Sequence, residues 1–227
     1  MPQGDVWESE YVESRLVTKG EAPQSSVLRF FKSLRKEKIT FEGAHVLDLG
    51  CGTGRNSLYC AQQGANVVGI EISKEAVRIA RERARVAGVV VGYREGDIGG
   101  LLPFSDASFD IILDVTSSNS LSEKERAIYL NETFRILKPS GRMFVRALCK
   151  DGDANAKRLL KDHPGKEKDT YIMPGLGLVE RVFSKEDFLQ TYGQYFDVYF
   201  LEKETHYALF DGVRYRRNYW IAYLRKL

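Results

Sequence analysis

The residues best suited to chemistry lie close together in residues 46–54, VLDLGCGTG. An apolar run leads straight into glycines at 50, 52 and 54, and a helical pattern follows. Glycines there permit a tight turn and close backbone approach, and the first turn of the next helix offers oriented N–H groups. Such a loop can cradle a nucleotide-type cofactor. Glu71 ends the next apolar run, 17 residues after Gly54, where an acid can accept two hydrogen bonds from a ribose diol. A dinucleotide loop needs G-x-G-x-x-G. Counted from Gly50, the third glycine would fall on Arg55; counted from Gly52, it would fall on Ser57. Asp48 instead precedes Gly50 by two residues. A carboxylate there repels a pyrophosphate and suits a cofactor with an ammonium group and a sulfonium centre.

The elements that must position these residues alternate. Strand-like apolar runs cover 44–49, 66–70, 89–93, 109–115 and 142–148. Between them, 55–63 reads as a helix stopped by Gly64. Ser73 caps a helix with Ala76, Val77, Ala80, Ala84 and Ala87 on one face, and Gly88 ends it. Ser122 and Glu125 form a capping-box pattern. Behind them Ala127, Leu130, Phe134 and Leu137 predict the buried face, with Pro139, Ser140 and Gly141 as the stop. Alternating helices and apolar strands predict an α/β doubly wound parallel sheet covered on both faces. Ahead of it, residues 1–40 read as amphipathic helix, with Val27, Phe30, Phe31 and Leu34 in one stripe and Ser25 or Ser26 as cap. After it, 150–183 is rich in Lys, Asp and Gly, carries Pro164 and Pro174, and predicts an irregular lid. A short helix at 184–190 and a hairpin of 197–206 with 218–225 complete the chain.

VLDLGCGTG, GIEIS at 69–73, GDI at 96–98, FDIILDV at 109–115 and ILKPSG at 136–141 stand in an order that resembles the class I S-adenosylmethionine-dependent methyltransferases over roughly residues 40–150. S-adenosylmethionine has both the ammonium and the sulfonium. The resemblance implies a Rossmann-like seven-stranded sheet of order 3-2-1-4-5-7-6 with the last strand antiparallel. It implies S-adenosyl-L-methionine as cofactor and S-adenosyl-L-homocysteine as product. By position, Gly50, Gly52 and Gly54 would pass the methionine part, with Asp48 near its amino group and Cys51 and Asn56 within the same loop and helix start. Glu71 would hold the ribose and Ile72 would lie on the adenine. Asp97 would take the adenine amino group beside the Ile98 backbone, and Asp114 would face the methionine end and the substrate. One domain of 1–227 is expected. It comprises a helical cap (1–40), a cofactor-binding core (41–149), a lid or substrate insertion (150–183) and a C-terminal helix with edge hairpin (184–227).

Methyl transfer from a sulfonium mainly needs positioning and desolvation, and a base only for a protonated acceptor. Asp114, Thr116 and His206 are the catalytic candidates. The segment Asp114-Val115-Thr116-Ser117-Ser118-Asn119 lacks the Pro-Pro-aromatic sequence of amino-group methyltransferases of the nucleic-acid type, which disfavours base methylation. Residues 171–178, apolar with two glycines, could close over a small acceptor, with His206, Tyr207, Tyr215 and Arg217 adding polar contacts. The cations and aromatics of 214–220 also fit an edge strand with a charged outer face.

The chain has 227 residues, 43% hydrophobic and 29% charged, with net charge +3. That balance excludes collagen, coiled coil and bulk disorder, and does not suit a protein built to coat nucleic acid or anionic membrane. Cys51, Cys60 and Cys149 lack paired or metal-ligand spacing, so no metal is expected and the thiols read as reduced. No apolar run reaches membrane length and no secretory signal is read at the start. The expected setting is cytoplasmic, with a small-molecule methyl acceptor and no membrane partner. The acceptor atom and oligomeric state stay open. An RNA or protein methyltransferase, and a non-catalytic cofactor-binding module, are the alternatives.

Overall fold

The computed structural model describes residues 3–15, 20–210 and 213–226. In chain order the elements are α1 (Gln3–Val12), α2 (Ser25–Lys36), β1 (His45–Leu49), α3 (Arg55–Gln62), β2 (Asn66–Glu71), α4 (Lys74–Ala87), β3 (Val91–Glu95) and β4 (Phe109–Val115). A 3-10 turn (Ser118–Ser120) leads to α5 (Glu123–Ile136) and β5 (Leu137–Leu148). Then come α6 (Ala154–Asp162), β6 (Thr170–Ile172), β7 (Val179–Arg181), α7 (Lys185–Tyr192), β8 (Asp197–Phe210) and β9 (Val213–Arg225).

The main sheet has seven strands in the order β3-β2-β1-β4-β5-β9-β8. The first five are parallel, and β9 runs antiparallel to both of its neighbours. This is the expected 3-2-1-4-5-7-6 order, because β9 is the seventh strand of this sheet. Period-two alternation divides the core. Leu47, Leu49, Ile70 and Ile112 enter one cluster with Tyr129 and Phe188. Val46, Val67, Ile111 and Leu113 enter another with Phe30, Phe31 and Leu34. The stripe on α2 is therefore the cover of the second face. Parallel registers bring the C-terminal ends of β1, β2 and β4 side by side, where ligands of open α/β sheets bind.

Several boundaries and faces depart from the sequence expectations. β3 starts two residues later than 89, at Val91. α2 is preceded by Gln24, which gives no side-chain cap, so neither Ser25 nor Ser26 caps it. The Ser73 cap and the Ser122–Glu125 capping box both form. On α5 the buried face is Arg126, Tyr129, Leu130, Thr133 and Ile136, while Ala127 and Phe134 are exposed. A buried arginine hid that register. Its guanidinium donates to the carbonyls of Ser118 at 2.8 Å and Leu121 at 2.9 Å.

Residues 150–183 are packed rather than irregular. They hold α6 and an antiparallel β6–β7 pair, with Tyr171 and Leu178 fully buried. Asp153 caps α6 and also accepts from the Asn218 N–H at 2.7 Å, which ties this segment to β9. The 214–220 run is split by strand alternation and burial. Arg217 is buried against Asp153 and the Tyr171 hydroxyl, and the Trp220 indole donates to the Phe183 carbonyl. Among the described residues no helix is long and apolar enough to cross a membrane.

Candidate cofactor site

β1 ends at Leu49 and the chain turns sharply through Gly50 (φ 61°) and Gly52 (φ 54°). A Cβ at 50 would stand 2.2 Å from the Ser117 Cβ, and one at 52 would stand 2.7 Å from the Tyr11 hydroxyl. Both positions thus need positive φ and leave no room for a side chain. Buried Cys51 donates its N–H to the Ile70 carbonyl at 2.9 Å, fastening the loop to β2. Its sulfur and the Tyr93 ring fill the space that a side chain at Gly69 would need: a Cβ there would lie 2.8 Å from each.

Glu71 closes β2 and is buried. One carboxylate oxygen accepts from Gly52 N–H at 2.9 Å and the other from Ser73 N–H at 3.0 Å. Burial raises its pKa above the usual carboxylate range in spite of those bonds. The two backbone donors fix the carboxylate and leave each oxygen a further lone pair for a ligand hydroxyl. Beside it lies a cavity of about 450 Å³. Its floor is the Gly50–Thr53 segment with Glu71 and Ile72, and Asp97, Ile98, Thr116 and Ser117 complete the wall. Its roof is α1, through Gln3, Gly4, Trp7 and Tyr11.

Of the expected cofactor residues, Gly50, Cys51, Gly52, Asn56, Glu71, Ile72, Asp97 and Ile98 line this cavity together with the candidate Thr116. Asp97 is further steadied by the Gly99 N–H at 2.8 Å, and Asn56 Oδ1 accepts from Gln24 N–H at 3.0 Å. Gly54 is turned away, with the Tyr93 hydroxyl 2.3 Å from where its Cβ would be.

Three further candidates stand outside the cavity wall. Asp48 is not in the cavity wall: alternation along β1 turns it beneath α3, where it accepts from the Ser57 hydroxyl at 2.6 Å. Burial pushes its pKa up to about 6. Asp114 does not face the cavity either. It is fully buried and accepts from Ser117 N–H at 3.0 Å, Ser118 N–H at 3.3 Å and the Tyr129 hydroxyl at 2.6 Å. Its work is to bind the end of β4 to the loop and to α5. His206 sits on the β8–β9 hairpin, 2.9 Å from Glu204, and is not in the wall. Burial, then Arg146 and Arg29, lower its pKa. No residue of 150–183 lines the cavity.

The roof was missed in the sequence. Gly4, Trp7 and Tyr11 recur at spacings of three and four, a helical stripe among Asp5, Glu8, Glu10 and other polar residues. The helix docks at both ends. Gln3 accepts from Val179 N–H at 3.1 Å, and Glu8 accepts from the Ser73 hydroxyl at 2.6 Å. Arg55, Ser120 and Leu121 are further wall residues that no motif singled out, and Glu125, marked only as the capping-box acid, joins them.

Residues 46–141 match the family model described as a methyltransferase domain. That match, over less than half of the chain, identifies residues 46–141 as a class I S-adenosylmethionine-dependent methyltransferase domain.

The chain is 34% identical over 112 residues to a ubiquinone biosynthesis O-methyltransferase of Xylella fastidiosa (strain 9a5c), covering 49% of this chain and 45% of that one. It is 40% identical over 104 residues to a demethylmenaquinone methyltransferase of Tropheryma whipplei (strain Twist), covering 45% of this chain and 41% of that one. The chain therefore spans less than half the length of these curated relatives. A crystal structure of an S-adenosylmethionine-dependent methyltransferase from Methanosarcina mazei superposes with TM-score 0.72 and 26% identity, over 82% of this chain and 93% of that one. A Burkholderia thailandensis 1,6-didemethyltoxoflavin-N1-methyltransferase, solved with 1,6-didemethyltoxoflavin and S-adenosylhomocysteine bound, shares the fold at TM-score 0.69 and 18% identity, over 98% and 86%.

The cavity fits the family's cofactor, S-adenosylmethionine. Two glycines with no room for a side chain, a fixed carboxylate, and apolar Ile72 and Ile98 all line it.

Proposed function

We propose that this chain transfers a methyl group from S-adenosylmethionine to a small-molecule acceptor by in-line displacement. The observation that carries this reading is Glu71, held by Gly52 N–H and Ser73 N–H beside a loop with no side chains at 50 and 52. That arrangement suits a ribose, and Arg55 and Ser57 in place of the third glycine of a dinucleotide loop weigh against a pyrophosphate. When bound, S-adenosylmethionine supplies an electrophilic methyl on a sulfonium that is already a good leaving group. Glu71 would accept from the ribose hydroxyls. Ile72 and Ile98 would flank the adenine, with Asp97 at its amino group. The glycine loop with Arg55 and Tyr11 would hold the methionine part. The α1 roof would keep out water, and Thr116 would face the acceptor. Among the described residues no histidine lines the cavity, and displacement from a sulfonium requires none, because position and desolvation supply most of the effect.

Small-molecule acceptors are favoured by the relatives named above and by the burial of residues 217–220, which leaves Arg214, Tyr215 and Arg216 as the part of that run open to solvent. Calorimetry with S-adenosylhomocysteine, with NAD as control, tests the cofactor. Micromolar binding of the former, none of NAD, and at least a tenfold loss (about 1.4 kcal/mol) in Glu71→Ala are expected. Absence of S-adenosylhomocysteine binding overturns the reading.

A further inference from the structure

Arg146 lies near the end of β5, in register with Val115 across the β4–β5 ladder. Its carbonyl accepts from Thr116 N–H at 2.8 Å. The residue is 8% exposed. One face of the guanidinium rests on the Tyr219 ring, 3.4 Å from the ring centre. No carboxylate forms an ion pair with it among the described residues. The other buried arginines are matched: Arg181 by Asp187 at 2.9 Å, Arg217 by Asp153 at 3.3 Å, and Arg126 by two carbonyls.

The charges that press on Arg146 beyond the tyrosine are cations. Arg55 and Arg217, after burial itself, disfavour its protonated form. Arg217 has its own carboxylate. Arg55 has no ion pair among the described residues, lines the cavity, and stands at the first position of α3, where the helix dipole opposes a cation. A buried arginine without a counter-ion costs stability. Its planar fork of donors matches carboxylate or phosphate oxygens.

The residue hydrogen-bonded to it is strained. Thr116 has φ 64°, a left-handed conformation that a β-branched side chain disfavours, and it forms part of the cavity wall. Strain and an unmatched charge thus meet at one place, just beyond the end of β4.

On the methyl-transfer reading above, we propose that Arg146 binds an anionic group, carboxylate or phosphate, carried by the methyl acceptor. The cofactor's own carboxylate does not serve it, because Arg146 is outside the cavity wall and β4 separates it from the glycine loop.

The test is calorimetry on the full chain saturated with S-adenosylhomocysteine, titrated with benzoate, phenyl phosphate and neutral benzamide. At least one anion is expected to bind ten times more tightly than benzamide, and which one distinguishes carboxylate from phosphate. Arg146→Met should abolish that preference while S-adenosylhomocysteine affinity stays within threefold. Equal binding of anion and amide by the wild type overturns the assignment, as does an unchanged anion preference in Arg146→Met. Loss of S-adenosylhomocysteine binding in a folded Arg146→Met also overturns it, since the residue would then serve the cofactor. Should Arg146→Met not fold, Arg146→Lys carries the test: with the wild-type melting curve it should lose anion affinity severalfold, and unchanged affinity refutes the role. The titrations are repeated without S-adenosylhomocysteine, so a failure of cofactor binding is read separately from a failure of anion binding.

Discussion

Gly50, Gly52 and Glu71 stand at strand ends fixed by the ladder of a seven-stranded sheet, whereas Trp7 and Tyr11 stand on a ten-residue helix that reaches the same cavity through a few side-chain hydrogen bonds. The floor is dictated by neighbours in sequence: a strand, a turn, a helix start. The roof depends on partners far along the chain, Ser73 for Glu8 and Val179 for Gln3. Ladder contacts shape the floor of the cavity, and a few side-chain hydrogen bonds hold its cover.

The largest effect should separate floor from roof. In Gly50→Ala the new methyl meets the Ser117 Cβ at 2.2 Å, next to the backbone, and the positive φ adds about 1–2 kcal/mol. Affinity for S-adenosylhomocysteine should fall at least a hundredfold, with a lower Tm. In Gly52→Ala the methyl meets only the Tyr11 hydroxyl, at 2.7 Å, the tip of a roof side chain. Tyr11→Phe should therefore recover at least threefold of the affinity lost in Gly52→Ala and none of that lost in Gly50→Ala. Rescue of both, or of neither, by calorimetry breaks the distinction.

Asp114→Asn asks whether a strand end belongs to the floor's chemistry or to its frame. The amide would turn an N–H₂ toward one of the donors now met by the carboxylate, at a cost of about 1–3 kcal/mol. Denaturant unfolding should show that loss while cofactor affinity stays within threefold. A thirtyfold affinity loss at unchanged stability would return Asp114 to the cofactor.

The smallest effect depends on pH. Folded Asp48 keeps its proton up to about pH 6, whereas an unfolded aspartate keeps it only to about pH 4. Its raised pKa means that the folded state binds the proton more tightly. The stability it contributes is present below about pH 4, is lost as pH rises to about 6, and stays lost above that. Asp48→Asn, which carries no charge, should thus be more stable than wild type by about 1–3 kcal/mol at pH 8, with the gap closing by pH 4. A gap independent of pH would mean that the carboxylate is not desolvated.

The sequence revealed the floor well because its signals are local. The glycines, Glu71 at a strand end, the Ser73 cap and the Ser122–Glu125 box each act within a few residues. What it hid was decided at a distance. Asp114 reads as a site acid, but Tyr129 and the serine N–H groups claim it. Arg126 lies off the face expected to be buried, yet two carbonyls draw it inside and α5 turns from that face. The α1 stripe is interrupted by acids, one of which latches α4. Residues 150–183 read as a loose lid, yet Tyr171 and Asp153 pack them onto β9.

The empty side-chain position at Gly69 has a consequence of another kind. Cys51, Gly69 and Tyr93 divide one small volume among them, and Tyr93 also crowds Gly54. A larger residue at 69 can enter only with a smaller one at 51 or 93. Aligned relatives should therefore trade size among these three columns, so that the shape of the loop is inherited through a sum of volumes and not through any single invariant letter.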